Sequence, residues 1–182
     1  GRVRLLVEIT AGQGTSLGWR FEQVAAIREA VPGRLRRRVG VCFDTCHAYA
    51  AGYDLRKDAA GVLDELERTL GHGRLKLVHL NDCRGSLGSH LDRHEHLGMG
   101  LIGEGGFRNI LQNPVFSRLP LVCETPVDGR RDDAGNIRKV RELAMDEGSP
   151  ASGKDRREVG RANPAGFHSA RQRRKRSGTG KG

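Results

Sequence analysis

The chain has 182 residues, a length that fits one domain of ordinary size or part of a larger one. Its net charge of +10 is unevenly placed, because residues 151–182 hold ten basic and two acidic residues and account for most of it. The total charge is therefore no reason to expect a basic DNA-binding face on the folded part. Four cysteines without a CxxC pair, and no apolar segment long enough for a bilayer, predict a reduced, cytoplasmic setting.

Strand and helix patterns alternate along the first 148 residues. We predict strands over residues 3–7, 39–43, 75–80 and 119–123, and helices over residues 21–31, 58–71, 107–112 and 137–144. Residues 45–52 carry no clear pattern and are predicted to be irregular. Residues 149–182 have few apolar side chains and a run of Arg and Lys, so we predict a basic, disordered tail after a domain of residues 1–148.

A residue that can bind a metal ion lies at or just after the end of each predicted strand. These residues are Glu8, Asp44, His79 and Glu124. In a barrel of parallel strands the C-terminal strand ends meet at one face, where such enzymes carry out catalysis. A carboxylate at the end of an apolar strand is costly to bury unless a cation or an arginine pairs with it, and we favour a metal ion.

Two further groups extend this set. His47 lies three residues after Asp44, and Asp92 and His94 occupy alternate positions of the loop after the third strand, so both side chains of that pair could reach one ion. A buried, hydrogen-bonded imidazole is the alternative for His79. Seven carboxylate and imidazole groups from four strands and their loops exceed what a core needs, and they predict a site for several metal ions. His72, His90 and His168 are instead predicted to face solvent.

Four strand and helix units are too few to close a barrel, which needs about eight strands. An open sheet of four parallel strands could stand alone, but the ligand-type residues would then lie along a line and not around a centre. We therefore interpret the chain as the C-terminal half of an eight-stranded α/β barrel.

Together these motifs resemble the successive signatures of endonuclease IV, the zinc-dependent apurinic/apyrimidinic endonuclease of base-excision DNA repair. The stretches that carry the resemblance are, in chain order, EITAGQG from Glu8, GVCFDTCH from Gly40, AAGYD from Ala50, HLND from His79, DRH from Asp92 and ETP from Glu124. They are collinear with the family pattern from about residue 3 to residue 143. The resemblance implies a xylose-isomerase-like TIM barrel, of which this chain holds about four βα units.

The resemblance also implies three zinc ions in the complete enzyme. Glu8 would bridge two of the ions. Asp44, His79 and Glu124 would complete the second site. His47, Asp92 and His94 would hold the third ion. In the family pattern the first zinc takes two more histidines from earlier barrel strands that these 182 residues do not include, so we expect little activity from the chain alone.

The implied reaction is hydrolysis of double-stranded DNA at an abasic site. Glu8 and Glu124 would act through a metal-bound hydroxide, and cleavage 5′ to the abasic site would leave a 3′-hydroxyl and a 5′-deoxyribose phosphate. Loop residues predicted to line the DNA groove are Gln13, Gly14, Gly52 and Tyr53. Asn81 and Asp82 are predicted to orient the ligands from behind. The full-length enzyme is expected to be monomeric, to act at the nucleoid and to have no membrane partner.

Two other functions fit part of the pattern. A xylose-isomerase-like sugar isomerase or epimerase would use a similar Glu, Asp, His and Glu quartet around one divalent ion, but it has no use for His47, Asp92 and His94. A nonenzymatic nucleic-acid-binding protein would rely on the basic tail and would need no metal. Metal content discriminates among the three.

Overall fold

The computed structural model describes residues 3–145, in which strands and helices alternate. The strands are β1 (Leu5–Glu8), β2 (Val39–Asp44), β3 (Leu75–His79), β4 (Asp82–Cys83), β5 (His94–Glu95) and β6 (Leu121–Val122). The helices are α1 (Phe21–Glu29), α2 (Gly33–Arg36), α3 (Thr45–Ala51), α4 (Ala59–Leu70), α5 (Gly103–Gln112) and α6 (Asp133–Met145), with a short 3-10 helix at Phe116–Arg118. The tail predicted for residues 149–182 lies outside the described residues.

Four strands form one parallel sheet in the order β1, β2, β3, β6, and β4 pairs with β5 in a small antiparallel ladder. The register places Glu8 opposite Cys42 and Asp44 opposite His79, so the C-terminal strand ends lie at one edge of the sheet. Strands that follow one another are neighbours and are joined by helices, as in the wall of a barrel. Within residues 3–145, β1 pairs only with β2 and β6 only with β3, so each keeps a free edge.

The hydrophobic core lies between the sheet and the helices. The Phe43 ring of β2 lies 6.5 Å from the Phe21 ring of α1 and 5.5 Å from the Phe116 ring, measured between centroids. All three side chains are fully buried. Because neighbouring side chains of a strand point to opposite faces, Asp44 faces away from this helical layer. The helices thus hold the sheet from one side and leave its other face for polar side chains.

Local signals predicted the borders of α4 correctly. The Asp58 side chain accepts a hydrogen bond from Gly61 N at 2.8 Å, which caps the first turn, and Gly71 ends the helix with φ 90°. The apolar face of this helix is buried at Val62, Leu63, Leu66 and Leu70. Capping residues act within a few positions, so they can be identified in the sequence.

The prediction of an irregular segment at residues 45–52 was wrong. Residues Thr45–Ala51 form α3, and the Asp44 side chain caps the helix by accepting from His47 N at 2.9 Å. Gly52 ends it in a left-handed conformation, with φ 111°. The segment is too short for a helical apolar stripe, and nearly all its side chains are buried, which hides the periodicity that marks a surface helix.

Other predicted borders were shifted. The fourth sheet strand covers only Leu121–Val122, and α5 and α6 begin at Gly103 and Asp133, each four residues earlier than predicted. The glycines at the start of α5 argue against a helix by propensity. Gly106 is required there by close packing, because a Cβ at this position would lie 2.7 Å from Ile102 Cγ2. No helix among residues 3–145 has the length and apolar character to span a membrane.

Candidate metal centre

Four side chains from the strand ends meet at one point. They are Glu8 of β1, Asp44 of β2, His79 of β3 and Glu124, which follows β6, and one ligand atom of each lies within 4.8 Å of the others. His79 Nδ1 lies 3.1 Å from Glu8 Oε1, 3.1 Å from Glu124 Oε2 and 3.8 Å from Asp44 Oδ2. Asp44 is fully buried, whereas the Glu8 and Glu124 side chains are 38% and 47% exposed. The group is therefore anchored at its base and open to solvent at its rim.

The charges of this group favour a bound cation. Three carboxylates surround one imidazole nitrogen, and a single N–H can donate a good hydrogen bond to only one of them. Like charges at this separation repel strongly in a partly buried setting. Carboxylate oxygens and an imidazole nitrogen are also suitable ligands for zinc, so the donor set fits the metal that the resemblance implies.

A second group is formed by His47, Asp92 and His94. The Nε2 atoms of the two histidines lie 3.4 Å apart. Asp92 Oδ1 lies 3.2 Å from His47 Nε2 and 3.5 Å from His94 Nε2. Two imidazole nitrogens and a carboxylate oxygen that face one point are a ligand set of the kind zinc takes in proteins.

Backbone carbonyls set the orientation of both histidine rings. His47 Nδ1 lies 2.9 Å from Ile9 O, and His94 Nδ1 lies 2.9 Å from Glu124 O. A carbonyl oxygen only accepts, so each Nδ1 carries the hydrogen and each neutral ring presents the lone pair of Nε2 to the group. This is the tautomer that a metal ligand needs.

The two groups adjoin through Asp44. Its Oδ2 lies 3.8 Å from His79 Nδ1 on one side and 3.7 Å from His94 Nε2 on the other. Ligand atoms of Asp44, His47 and His94 also lie within 4.8 Å of one another. The structure thus brings all seven residues predicted as ligands into one continuous cluster, while their binding of metal stays a prediction.

The negative charge of the cluster raises the pKa of His47. Burial by itself lowers the pKa of His47, but the charges of Asp44, Asp92 and Glu8 and the bond to Ile9 O outweigh it, so the pKa is raised. The imidazole therefore holds a proton more readily than a free histidine does. A metal ion at Nε2 has to displace that proton, which makes binding weaker at low pH.

Asn81 lies directly behind the ligands. Its fully buried side chain donates from Nδ2 to Asp44 Oδ2 at 2.7 Å and accepts from Glu124 N at 2.7 Å. Its backbone N–H donates to Thr45 Oγ1 at 2.9 Å. One amide thus connects the ends of β2, β3 and β6, which is the location predicted for a ligand-orienting residue.

Asp82 contacts a loop and not a ligand. Its carboxylate accepts hydrogen bonds of 2.8–3.4 Å from five backbone amides, at Cys83, Gly98, Gly100, Ile102 and Gly103. Burial raises the pKa of Asp82, although these hydrogen bonds act in the opposite direction. Since the carboxylate is occupied by the loop at residues 98–103, its contacts support a structural role and not the predicted orientation of ligands.

The predicted DNA-groove residues differ in their surroundings. Gln13, Gly14 and Gly52 are exposed, and Gln13 Oε1 accepts from Asp92 N at 3.0 Å. The Tyr53 ring stacks on Phe21 at 4.0 Å, and its hydroxyl accepts from Phe21 N at 3.1 Å. Both ends of the Tyr53 side chain are thus used inside the fold, and the three exposed residues are better candidates for contact with a ligand.

The structure also locates residues that sequence reasoning missed. His90 was predicted to face solvent, but its Nδ1 donates to Ala11 O at 2.8 Å and its ring contacts Trp19. The His96 side chain is fully buried and lies 2.9 Å from Asp128 Oδ1 through Nε2. No periodic or motif signal in the sequence indicates either contact. His72 is exposed as predicted, and His168 lies outside the described residues.

Cys42 of β2 is buried and lies at the base of the first group. Its Sγ belongs with Glu8 and His79 to a set of ligand-type atoms within 4.8 Å of one another. Burial, followed by the negative charges of Glu8, Asp44 and Glu124, raises the pKa of Cys42 to about 12. In the absence of a metal ion the thiol is therefore protonated at neutral pH. All four cysteines are free thiols.

A parallel sheet that collects carboxylates and histidines at its C-terminal edge defines an α/β-barrel protein with a candidate metal centre. Residues 2–146 match the family model described as xylose isomerase-like TIM barrel, and the chain belongs to this family. It is 56% identical over 144 residues to a protein named probable endonuclease 4 from Methanoculleus marisnigri, a match that covers 78% of this chain and 50% of that protein. The protein of the same name from Methanosphaerula palustris is 51% identical over 146 residues, which cover 79% and 50% of the two chains.

A solved structure agrees with these relatives. The crystal structure of endonuclease IV from Thermus thermophilus superposes with a TM-score of 0.64 at 43% identity, covering 76% of this chain and 48% of that chain. The resemblance to endonuclease IV and the partial TIM-barrel fold are therefore confirmed. This chain carries residue groups that could hold metal ions. The chain spans about half the length of the relatives it matches.

Proposed function

We propose that the chain supplies the C-terminal half of a zinc-dependent apurinic/apyrimidinic endonuclease of base-excision DNA repair. The observation that carries this proposal is the convergence of seven ligand-type side chains in two adjoining groups at the C-terminal edge of the sheet. Membership of the TIM-barrel family and the names of the relatives support it. In this proposal residues 1–148 form the barrel part, and residues 149–182 are a separate basic tail.

The proposed enzyme uses three zinc ions. Glu8 would be shared between the first two ions, and Glu8 and Glu124, at the open rim, are the carboxylates proposed to take part in catalysis. Asp44, His79 and Glu124 would complete the second site, and His47, Asp92 and His94 would hold the third ion. When bound, zinc would neutralise the charge of a phosphodiester and activate water at neutral pH.

The protein side chains have two tasks in this scheme. The buried Asp44 is held by Asn81 and by His47 N, so it can bind on either side without changing its rotamer. The exposed oxygens of Glu8, Asp92 and Glu124 line the side from which a phosphodiester would approach. Preorganised ligands of this kind spare the reaction the cost of rearranging charged groups.

The proposed substrate is double-stranded DNA with an abasic site, cut on the 5′ side to give a 3′-hydroxyl and a 5′-deoxyribose phosphate. Gln13, Gly14 and Gly52 lie on exposed loops and are proposed to contact the DNA backbone. Tyr53 is proposed to support the Gly52 loop through its contacts with Phe21. The full-length enzyme is proposed to be cytoplasmic and monomeric and to act at the nucleoid.

The rival function, a sugar isomerase with one divalent ion, uses only part of the cluster. It accounts for Glu8, Asp44, His79 and Glu124. It leaves the group at His47, Asp92 and His94 without a role, although both imidazole rings are held in the tautomer that a metal needs. We therefore favour the nuclease.

The test combines metal analysis with an incision assay. The purified 182-residue chain is assayed alone, and together with a separately produced N-terminal half of the Methanoculleus marisnigri relative, on a duplex with one abasic site. We expect zinc in the chain, little incision by the chain alone, and incision 5′ to the lesion by the mixture that is lost on chelation. A chain without zinc, or a zinc-loaded mixture that leaves the duplex intact but isomerises a sugar, would reject the proposal. The variant His72→Ala, at an exposed histidine far from the cluster, serves as the matched control.

A further inference from the structure

We infer that His90 is a positioning residue, which holds the loop that presents Asp92 to the third metal site. The inference rests on the proposed role of Asp92 as a metal ligand. His90 itself is not a ligand in this scheme. It lies two residues before Asp92 and connects that loop to two other parts of the fold.

Asp92 needs such a support because it lies outside regular structure. The antiparallel pairing of β5 with β4 begins at His94, so Asp92 precedes the ladder. The side chain of Asp92 is 49% exposed, and its backbone N–H is held by Gln13 Oε1 at 3.0 Å. A loop residue with this exposure is not fixed by packing, yet Asp92 Oδ1 lies 3.2 Å from His47 Nε2.

His90 connects three parts of the structure. Its backbone N–H donates to Ala50 O of α3 at 2.9 Å, and its Nδ1 donates to Ala11 O at 2.8 Å. Its ring meets the Trp19 ring edge to face, with centroids 5.0 Å apart and an interplanar angle of 76°. The ring fills its slot closely, because a Cβ added to Gly12 would lie 2.7 Å from His90 Nδ1.

The backbone of His90 is strained. Among residues 3–145 it is the one non-glycine residue with positive φ, at 55°. Residues with a Cβ adopt this left-handed conformation at a cost in free energy, so the surrounding contacts have to maintain it. The conformation turns the chain between the segment bound to α3 and the segment that carries Asp92.

The short segment at residues 9–13 holds both sides of the third site through hydrogen bonds. Ile9 O receives His47 Nδ1, Ala11 O receives His90 Nδ1, and Gln13 Oε1 receives Asp92 N. The ligand His47 and the loop that carries Asp92 are therefore held by residues within five positions of each other. Through His90 this segment sets the separation between the two ligands.

Three substitutions at His90 separate its side-chain hydrogen-bond donor from its ability to adopt positive φ. His90→Asn keeps a side-chain N–H donor and tolerates positive φ. His90→Gly tolerates positive φ but has no donor, and His90→Ala has neither property. The matched control is again His72→Ala, which removes an exposed histidine, and Asp92→Ala identifies the zinc ion that belongs to the third site.

The first readout is zinc affinity of the full chain, measured by competition with a chromophoric chelator. Asp92→Ala should abolish binding of one zinc ion. We expect His90→Ala to lower the affinity for that same ion by roughly tenfold to a hundredfold and to leave the affinity for other bound zinc unchanged. His90→Asn should restore most of the affinity, and His90→Gly should remain weak. Unchanged affinity in His90→Ala, or an equal loss at every ion, would overturn the inference.

The second readout needs no metal. In the chelator-treated chain, trypsin can cut after the exposed Arg93, and we expect His90→Ala to increase the rate of this cut several-fold over wild type, His90→Asn and His72→Ala. Equal rates at Arg93 in wild type and His90→Ala would overturn the inference whether or not zinc binds. A wild-type chain that binds no zinc would reject the proposed function instead, and the trypsin comparison would still decide the role of His90.

Discussion

Glu8 and Glu124 belong to opposite edges of the parallel sheet, yet their carboxylate oxygens lie within 4.8 Å of each other. Neighbouring strands are about 4.8 Å apart, so in a flat sheet the backbones of the two edge strands would be separated by about 14 Å. Curvature of the sheet and two long side chains directed at His79 account for the approach. Four strands therefore suffice to place ligands around a centre, whereas a flat open sheet would place them along a line.

Removal of a ligand from the loop or from β5 should open the third metal site without unfolding the protein. We expect Asp92→Ala and His94→Ala each to bind one zinc ion fewer than wild type. Incision by the complemented enzyme, the mixture of this chain with the N-terminal half of the relative, should fall at least about a hundredfold. Their free energy of unfolding in chelator should change by less than about 1 kcal/mol, since neither side chain is a core residue. Metal analysis, incision rates and urea unfolding measure the three effects. Wild-type incision by either variant would contradict the assigned role.

Asn81→Ala should affect both stability and metal binding. The substitution leaves buried Asp44 Oδ2 and Glu124 N without their amide partner, which costs about 1–3 kcal/mol. It also frees two ligands to rotate, and zinc affinity should fall by about tenfold to a hundredfold. Urea unfolding measures the loss of stability, and chelator competition measures the loss of zinc affinity. Asn109→Ala, which removes an exposed amide, is the matched control. Loss of stability with unchanged zinc affinity would show that Asn81 does not orient the ligands.

Asp82→Ala should loosen the loop at residues 98–103. Five backbone N–H groups lose their acceptor, and we expect a loss of more than about 2 kcal/mol in the free energy of unfolding. Hydrogen exchange at Gly98, Gly100 and Gly103 should accelerate. Asp82→Asn keeps one acceptor oxygen and should recover part of both effects. Slow exchange at these glycines in Asp82→Ala would mean that other contacts hold the loop.

The ion pair between α5 and α6 should make a small, pH-dependent contribution to stability. Glu104 Oε1 lies 3.1 Å from Lys139 Nζ, and this hydrogen bond is the main cause of the lowered pKa of Glu104. A lowered pKa stabilises the fold above the ordinary glutamate value of about 4.3, and the contribution is lost as the pH falls through the folded-state pKa. Because the carboxylate is 40% exposed, the effect should stay below about 1 kcal/mol.

Glu104→Gln tests this pH dependence. The variant should melt slightly below wild type at about pH 7, and the difference should vanish once the pH has fallen below the folded-state pKa of Glu104, where both side chains are neutral. Glu142→Gln is the matched control, because Glu142 is a more exposed partner of the same lysine, with its Oε1 2.7 Å from Lys139 Nζ. A difference between Glu104→Gln and wild type that persists in acid would exclude the carboxylate charge as its origin.

Deletion of residues 151–182 should weaken general DNA binding without changing which bond is cut. The ten basic residues of this segment can neutralise phosphates and release counterions, and the basic run at residues 171–176 has no aromatic residue interleaved in it for reading bases. We expect a smaller slope of log affinity against log salt for the shortened chain in the complemented enzyme. An unchanged slope would show that the tail does not contact DNA.

Much of the candidate site could be predicted because its signals are local. Glu8, Asp44, His79 and Glu124 each lie at or just after the end of an apolar strand, and the C-terminal ends of parallel strands share one edge whatever the rest of the fold does. The cap at Asp58 and the stop at Gly71 act within four residues of the helix they delimit. For these features the type of residue and its position relative to an apolar run carry the information.

By itself, the sequence determined the fold class and the positions of the ligand-type residues at the strand ends, since apolar periodicity and side-chain chemistry can both be identified from the order of residues. Only the tertiary structure decided what surrounds those residues. Gln13 and Asp92 are 79 residues apart, as are Ala11 and His90, and their hydrogen bonds arise only when two loops meet above the strand ends. Asp82 likewise finds most of its partners 16–21 residues away. Such contacts depend on how the helices set the loops against the sheet, and no short-range pattern specifies that arrangement.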